Sequence, residues 1–140
     1  MWLVGNGGSA CLASHMATDL QLAGVRAQAL TDVAAVTTYG NDCGYEFCFS
    51  RQITHLAKRG DLLIAISGSG NSPNILNAAD TAEDMGVQVV TVTGFEGGQL
   101  ISSADAASLY VPVNHMGVAQ DVHQVMLHLI CYSLMEMPRD

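Results

Sequence analysis

Ile66-Ser67-Gly68-Ser69-Gly70-Asn71-Ser72 follows the apolar run 62–66 and leads through Pro73 into a helical pattern. Three hydroxyls and two glycines therefore sit where a strand turns into a helix. Such a turn offers an anion free backbone N–H groups, the positive end of a helix dipole and side-chain donors. It lacks the Lys of a Walker loop and does not read GxGxxG, so neither a nucleotide nor a dinucleotide is expected here. A serine-rich cradle without Lys suits a small phosphorylated metabolite. Gly5-Asn6-Gly7-Gly8-Ser9 repeats the arrangement near the start of the chain, again between an apolar run and a helical pattern.

Working outward, residues 2–4 read as a buried strand. Ser9 reads as the N-cap of a helix reaching about residue 22 and stopped by Gly24. Residues 28–30 suggest a short strand, and Asp32 caps a helix over 33–39. The cluster Gly40-Asn41-Asp42-Cys43-Gly44 reads as a turn, and 45–57 as helical. Strand 61–66 enters the serine turn. Pro73 opens a helix to residue 85, with Gly86 as its stop. The β-branched run 87–92 reads as a buried parallel strand, 93–98 as a flexible loop and 109–111 as a last strand. Residues 118–137 predict a long helix whose apolar stripe is Val122, Val125, Met126, Leu129 and Leu134. Strands alternating with helices predict a parallel α/β sheet covered on both faces. Both serine turns then lie at carboxyl ends of strands, where open α/β sheets bind ligands.

The bulk numbers narrow the function. The chain has 140 residues, one domain's worth, and 49% of them are hydrophobic. Only 13% are charged, which points to much buried surface, including a subunit contact. A net charge of −8 with five Lys and Arg excludes a nucleic-acid or anionic-membrane surface. Any phosphate must then be held mainly by amides and hydroxyls. The four cysteines form no CxxC pair, no apolar stretch reaches membrane-spanning length, and the first residues carry no signal pattern. These features predict a soluble, cytoplasmic protein with reduced thiols.

His15 and Asp19 are four apart and share a helix face. On spacing alone they read equally as a surface ion pair or a capped core histidine. The last helix carries Gln120, His123, Gln124 and His128, and polar residues on so apolar a helix need partners. A cluster of His15, Asp19, Gln120 and His128 would satisfy them. It would also supply a carboxylate and an imidazole for proton transfer, or ligands for a divalent metal. Spacing does not establish that the two helices meet. Asn41 and Asp42 read as turn formers, Cys11 and Cys131 as small core residues, and His55 and His115 receive no role.

Taken together, the paired glycine-serine turns, His15, Thr93-Gly94 with Gly97-Gly98, and Gln120-Asp121-Val122-His123 with His128 closely resemble the sugar isomerase (SIS) domain. Within it the chain is most similar to the phosphoheptose isomerase branch, to which Asn41-Asp42 and Phe49-Ser50-Arg51 add a match. The resemblance covers essentially all 140 residues. It implies a three-layer α/β/α sandwich with a five-stranded parallel sheet, as a single domain over 1–140 without the family's N-terminal helical segment. It implies a homotetramer with sites between subunits, and no nucleic-acid or membrane partner. The implied reaction is ketose–aldose isomerisation of a sugar phosphate, sedoheptulose 7-phosphate to a manno-heptose 7-phosphate. By motif position, substrate binding falls to Asn6, Gly7, Ser9, Asp32, Ser67, Gly68, Ser69, Asn71, Ser72 and Gln120. Catalysis falls to Asp19 as base and His128 as its partner, with zinc as the candidate metal at His15, Asp19, Gln120 and His128. Asp19 stands where the family usually has Glu, and Ala23 where a basic residue is common. Those departures favour the other reading, a non-catalytic SIS module that senses a sugar phosphate or binds a protein partner.

Overall fold

The computed structural model describes residues 1–137. In chain order it has β1 (Trp2–Gly5), α1 (Gly8–Leu22), β2 (Gln28–Ala29), α2 (Val33–Cys43), α3 (Cys48–Leu56), β3 (Leu62–Ser67), α4 (Pro73–Asp84), β4 (Gln88–Thr93), β5 (Ala107–Tyr110) and α5 (Met116–Glu136). Short 3₁₀ turns occupy Tyr45–Phe47 and Leu100–Ser103. All strand pairs are parallel, in the order β2-β1-β3-β4-β5. The expected three-layer sandwich with a five-stranded parallel sheet is the fold observed.

Alternation along the strands divides the core in two. Leu3, Ile64, Ile66 and Val92 point to one face, where Leu12, Met16 and Leu20 of α1 and Leu127 and Cys131 of α5 cover them. Val4, Leu63, Ala65 and Val89 point to the other, under Phe49 and Ile53 of α3 and Ile75, Ala78, Ala79 and Ala82 of α4. The alanine stripe on α4 has no exposed surface, so that helix lies close on the sheet. From β1 the chain goes one way to β2 and the other way, through β3, to β4 and β5. The order therefore reverses between β1 and β3, the crevice where this topology binds ligands.

Local departures from the sequence reading have local causes. Gly7, not Ser9, is the N-cap of α1, with Ser9 inside the first turn and buried. Helix α2 runs through Gly40, Asn41 and Asp42 to Cys43, and the chain turns only at Gly44, with φ +102°. Three turn-prone residues in a row did not stop a helix capped at its start by Asp32, whose carboxylate accepts the Ala35 N–H at 2.9 Å. The segment 45–57 splits into a 3₁₀ turn and α3, and β5 lies two residues earlier than expected. Cys11 is exposed rather than in the core. His115 caps α5, its Nδ1 accepting the Val118 N–H at 3.3 Å.

The largest difference is on α5. Its buried line is Ala119, His123, Leu127 and Cys131, whereas Val125 and Leu129 of the expected stripe are 58% and 63% exposed. His123 is fully buried and bonds the Thr93 carbonyl through Nε2 at 2.9 Å. A carbonyl only accepts, so Nε2 carries the proton. Nδ1 is then a bare acceptor, and among the described residues neither it nor Thr93 Oγ1 has a partner.

Burial pushes the His123 pKa below its ordinary 6.5, and the bond to Thr93 opposes that shift only in part. Below pH 6.5 the unfolded chain therefore binds a proton that the native chain refuses. Stability from this group is complete above that pH and falls as the pH drops, by at most about 1.4 kcal/mol per unit. His123→Gln keeps a donor for Thr93 and does not titrate. Urea unfolding at pH 7.5 and 5.5 should show a larger loss in the parent than in His123→Gln, and equal losses would exclude this linkage.

Candidate active site

Two serine turns meet over the β1–β3 junction. Gly5 pairs with Ile66, so the turns leaving β1 and β3 start side by side. Between them lies a cavity of about 220 Å³. Gly7, Gly8 and Ser9 line it from one turn, and Ser67, Gly68, Ser69 and Ser72 from the other, with Gln120 and Met116 of α5 closing it. Among the described residues no Lys or Arg lines it. A wider opening of about 930 Å³ sits at the opposite end of the sheet, around Trp2, Arg26 and Asp61, away from all these groups.

The second turn is rigid for identifiable reasons. Ser67 Oγ and the Ser67 carbonyl both accept the Gly70 N–H, at 3.2 and 3.1 Å. Ser67 and Ser72 hydroxyls lie 3.5 Å apart. The Asn71 side chain donates to the Ser69 carbonyl at 3.1 Å and accepts the Gln99 N–H at 3.0 Å. The loop after β4 is bound to this turn by Gly94 N–H to Gly68 O and Leu100 N–H to Gly70 O, both 2.9 Å. Gly70 has φ +66°, and a Cβ there would overlap the Gly97 carbonyl, so only glycine lets the two backbones cross. Ser72 then caps α4 with Pro73 at its first turn. The result is a concave set of neutral donors at helix amino termini, which suits a phosphate.

The second group lies further along α1 and α5. His15 Nε2 and His128 Nε2 are 3.0 Å apart, and Asp19 Oδ2 is 3.6 Å from each. One ring donates through Nε2 while the other accepts, so the pair holds a proton between them. Asp19 and His128 are the shielded members, with 18% and 31% of their side-chain surface exposed, against 55% for His15. The three ligand atoms lie within 4.8 Å of one another, and two imidazole nitrogens with a carboxylate oxygen are a donor set that suits zinc.

The structure thus brings Asn6, Gly7, Ser9, Ser67, Gly68, Ser69, Ser72 and Gln120 to one pocket, and His15, Asp19 and His128 to one cluster. Gln120 lies against Gly8, where an added Cβ would sit 2.5 Å from its Oε1, so it belongs to the serine pocket. Asn71 sits behind its turn, its side chain committed to the backbone. Asp32 is engaged as the cap of α2 and does not line the serine cavity. Asn41 and Asp42 are exposed on the last turn of α2 and bond each other at 2.8 Å. The sequence reading missed Met116, whose thioether lies over Gly68, and Asn74, whose side chain pairs with that of Asn6, a residue of the cavity lining. No periodic signal marks either residue, since each works through a partner far away in sequence.

The family model described as SIS domain matches residues 1–94. The phosphoheptose isomerase of Aliarcobacter butzleri is 43% identical over 136 residues, covering 92% of this chain and 71% of that protein. Among solved structures, phosphoheptose isomerase from Neisseria gonorrhoeae superposes with a TM-score of 0.92 at 35% identity, covering 97% of this chain and 76% of that one. The corresponding enzyme from Francisella tularensis gives 0.88 at 34% identity, over 96% and 74%. A serine cradle at the β1–β3 crevice, a facing His-Asp-His group and these likenesses converge, and the chain belongs to the SIS-domain family, among the phosphoheptose isomerases.

Proposed function

We propose that the protein is a ketose–aldose isomerase of sugar phosphates, converting sedoheptulose 7-phosphate to a manno-heptose 7-phosphate. The observation that carries this reading is the separation of its two groups along the same two helices. Gln120 in the serine pocket and His128 in the cluster are two turns apart on α5, about 12 Å at 1.5 Å per residue. That span suits a long sugar phosphate bound by its phosphate at one end and reacting at the other.

The serine hydroxyls and backbone N–H groups of both turns bind the phosphate. Asp19 takes a proton from C1 of the ketose; the C1–H electron pair becomes the C1–C2 double bond, and the carbonyl pair moves to O2, which takes a proton from His128. In the second half His128 accepts the O1 proton, O1 becomes the aldehyde oxygen, and Asp19 returns its proton to C2. His15 holds the His128 ring through the Nε2 bond, and Gln120 orients sugar hydroxyls. His15, Asp19 and His128 have the donor set for zinc, which would polarise the carbonyl when bound. The reading includes a cytoplasmic location, in keeping with four free cysteines. No helix among the described residues is long and apolar enough to cross a membrane.

Replacing Ser67 and Ser69 together with Ala should weaken phosphate binding by about 0.5–1.5 kcal/mol per hydrogen bond lost; unchanged affinity by calorimetry would remove the pocket assignment. His128→Ala should cut turnover of sedoheptulose 7-phosphate by about 100- to 10,000-fold with phosphate affinity retained, and Asp19→Asn should do likewise. A parent that binds phosphate but turns over no heptose phosphate, with or without zinc, would instead fit a sensing module.

We also propose a homotetramer. Val125, Leu129 and Tyr132 leave a largely exposed apolar face on α5, each at 58–63%. Light scattering at micromolar concentration should give a mass four times that of one chain, and a monomer would contradict it.

A further inference from the structure

Asn6 and Asn74 are 68 residues apart in sequence and form a reciprocal amide pair. Asn6 Nδ2 donates to Asn74 Oδ1, and Asn74 Nδ2 to Asn6 Oδ1, both at 2.8 Å. Asn6 lies in the first serine turn, and Asn74 follows Ser72-Pro73 at the end of the second. Asn74 is 2% exposed, so its amide must be bonded inside the protein. Two further contacts extend the pair. The Tyr45 hydroxyl donates to Asn6 Oδ1 at 3.0 Å, and Asn74 Nδ2 also approaches Cys48 Sγ at 3.7 Å. Asn77 Nδ2 adds a bond to the Glu46 carbonyl at 2.9 Å, so the 44–48 connection is fastened to α4 as well.

Taking the phosphate site of the proposed function as given, we propose that Asn74 and Tyr45 are positioning residues for it. They act through Asn6, and the amide pair sets the spacing of the two serine turns. The physical need follows from a lining in which, among the described residues, no Lys or Arg appears. Neutral donors recognise phosphate only when several are aimed at once, and the loops carrying them are joined by no strand ladder beyond Gly5 and Ile66. Without the pair, each turn must be ordered at the moment of binding, and affinity falls by the cost of that ordering. The Asn6 side chain is largely committed to this network, so its main contribution is structural.

Tyr45→Phe removes one hydroxyl and leaves an exposed ring; Asn74→Ala removes the pair. The readouts are the Kd for inorganic phosphate by titration calorimetry, kcat and KM with sedoheptulose 7-phosphate, and the melting temperature. Tyr45→Phe should raise the phosphate Kd by about 5-fold, the equivalent of one neutral hydrogen bond, and Asn74→Ala by more. KM should rise in parallel with kcat held within about twofold, the pattern of lost uniform binding. The double variant should lose less than the product of the singles, since both act on Asn6. A phosphate Kd within about twofold of the parent in Tyr45→Phe and Asn74→Ala, whatever happens to the melting temperature, would make the network merely structural and overturn the proposal. If Asn74→Ala does not fold, Tyr45→Phe decides alone. Because the comparison rests on phosphate affinity, it is decided even if no heptose phosphate is isomerised.

Discussion

Parallel pairing of β1 with β3 is the constraint on which the site depends. Parallel strands end on the same edge of a sheet, and the register Leu3 to Ile64 and Gly5 to Ile66 makes these two end level. Chain order reverses at this pair, so no helix crosses over the crevice and both turns open into it. Everything that binds the ligand follows from that. Two helices, α1 and α4, begin at the same edge, and both turns line one small cavity.

The electrostatics of the proposed anion site are unusual. The chain carries a net charge of −8, and no Lys or Arg lines the cavity among the described residues. Long-range attraction therefore works against phosphate, and the proposed binding rests on short-range dipoles. Helix termini contribute a few tenths to about 1 kcal/mol each, and neutral hydrogen bonds about as much. Such a site depends on geometry more than a cationic one does, which explains the density of internal bonds around it. The crossing of Gly70 and Gly97, the Asn71 side-chain bonds and the Asn6–Asn74 pair all restrain the same few loops.

Helix α5 serves three purposes along its length. Near its start Gln120 closes the serine pocket, and two turns later His128 meets His15 and Asp19 of α1. Between them His123 fastens the helix to the end of β4 through the Thr93 carbonyl. That bond links the helix carrying His128, the acid–base partner in the proposed reaction, to the strand whose following loop restrains the serine turn. The opposite face of the helix keeps Val125, Leu129 and Tyr132 exposed.

Sequence by itself determined the architecture and marked the candidate residues of both groups. Alternating strands and helices gave the parallel sheet, because β-branched runs and helical periodicity are local signals. Glycine and serine at strand ends marked the two turns proposed to bind phosphate, since such residues form tight loops rich in donors. His15 and Asp19 were legible as a pair through i,i+4 spacing, and His128 through the cost of a polar residue on an apolar helix. The tertiary structure alone decided which polar residues meet. It placed Gln120 against Gly8 and carried α2 through a run of turn formers. It also buried His123 in place of the expected apolar stripe and joined Asn6 to Asn74. Each of these depends on which face of a helix a neighbouring layer covers, or on contacts across 30 to 68 residues. Local sequence fixes an element's period, but the rotation of α5 against the sheet is set by its packing on α1 and β4.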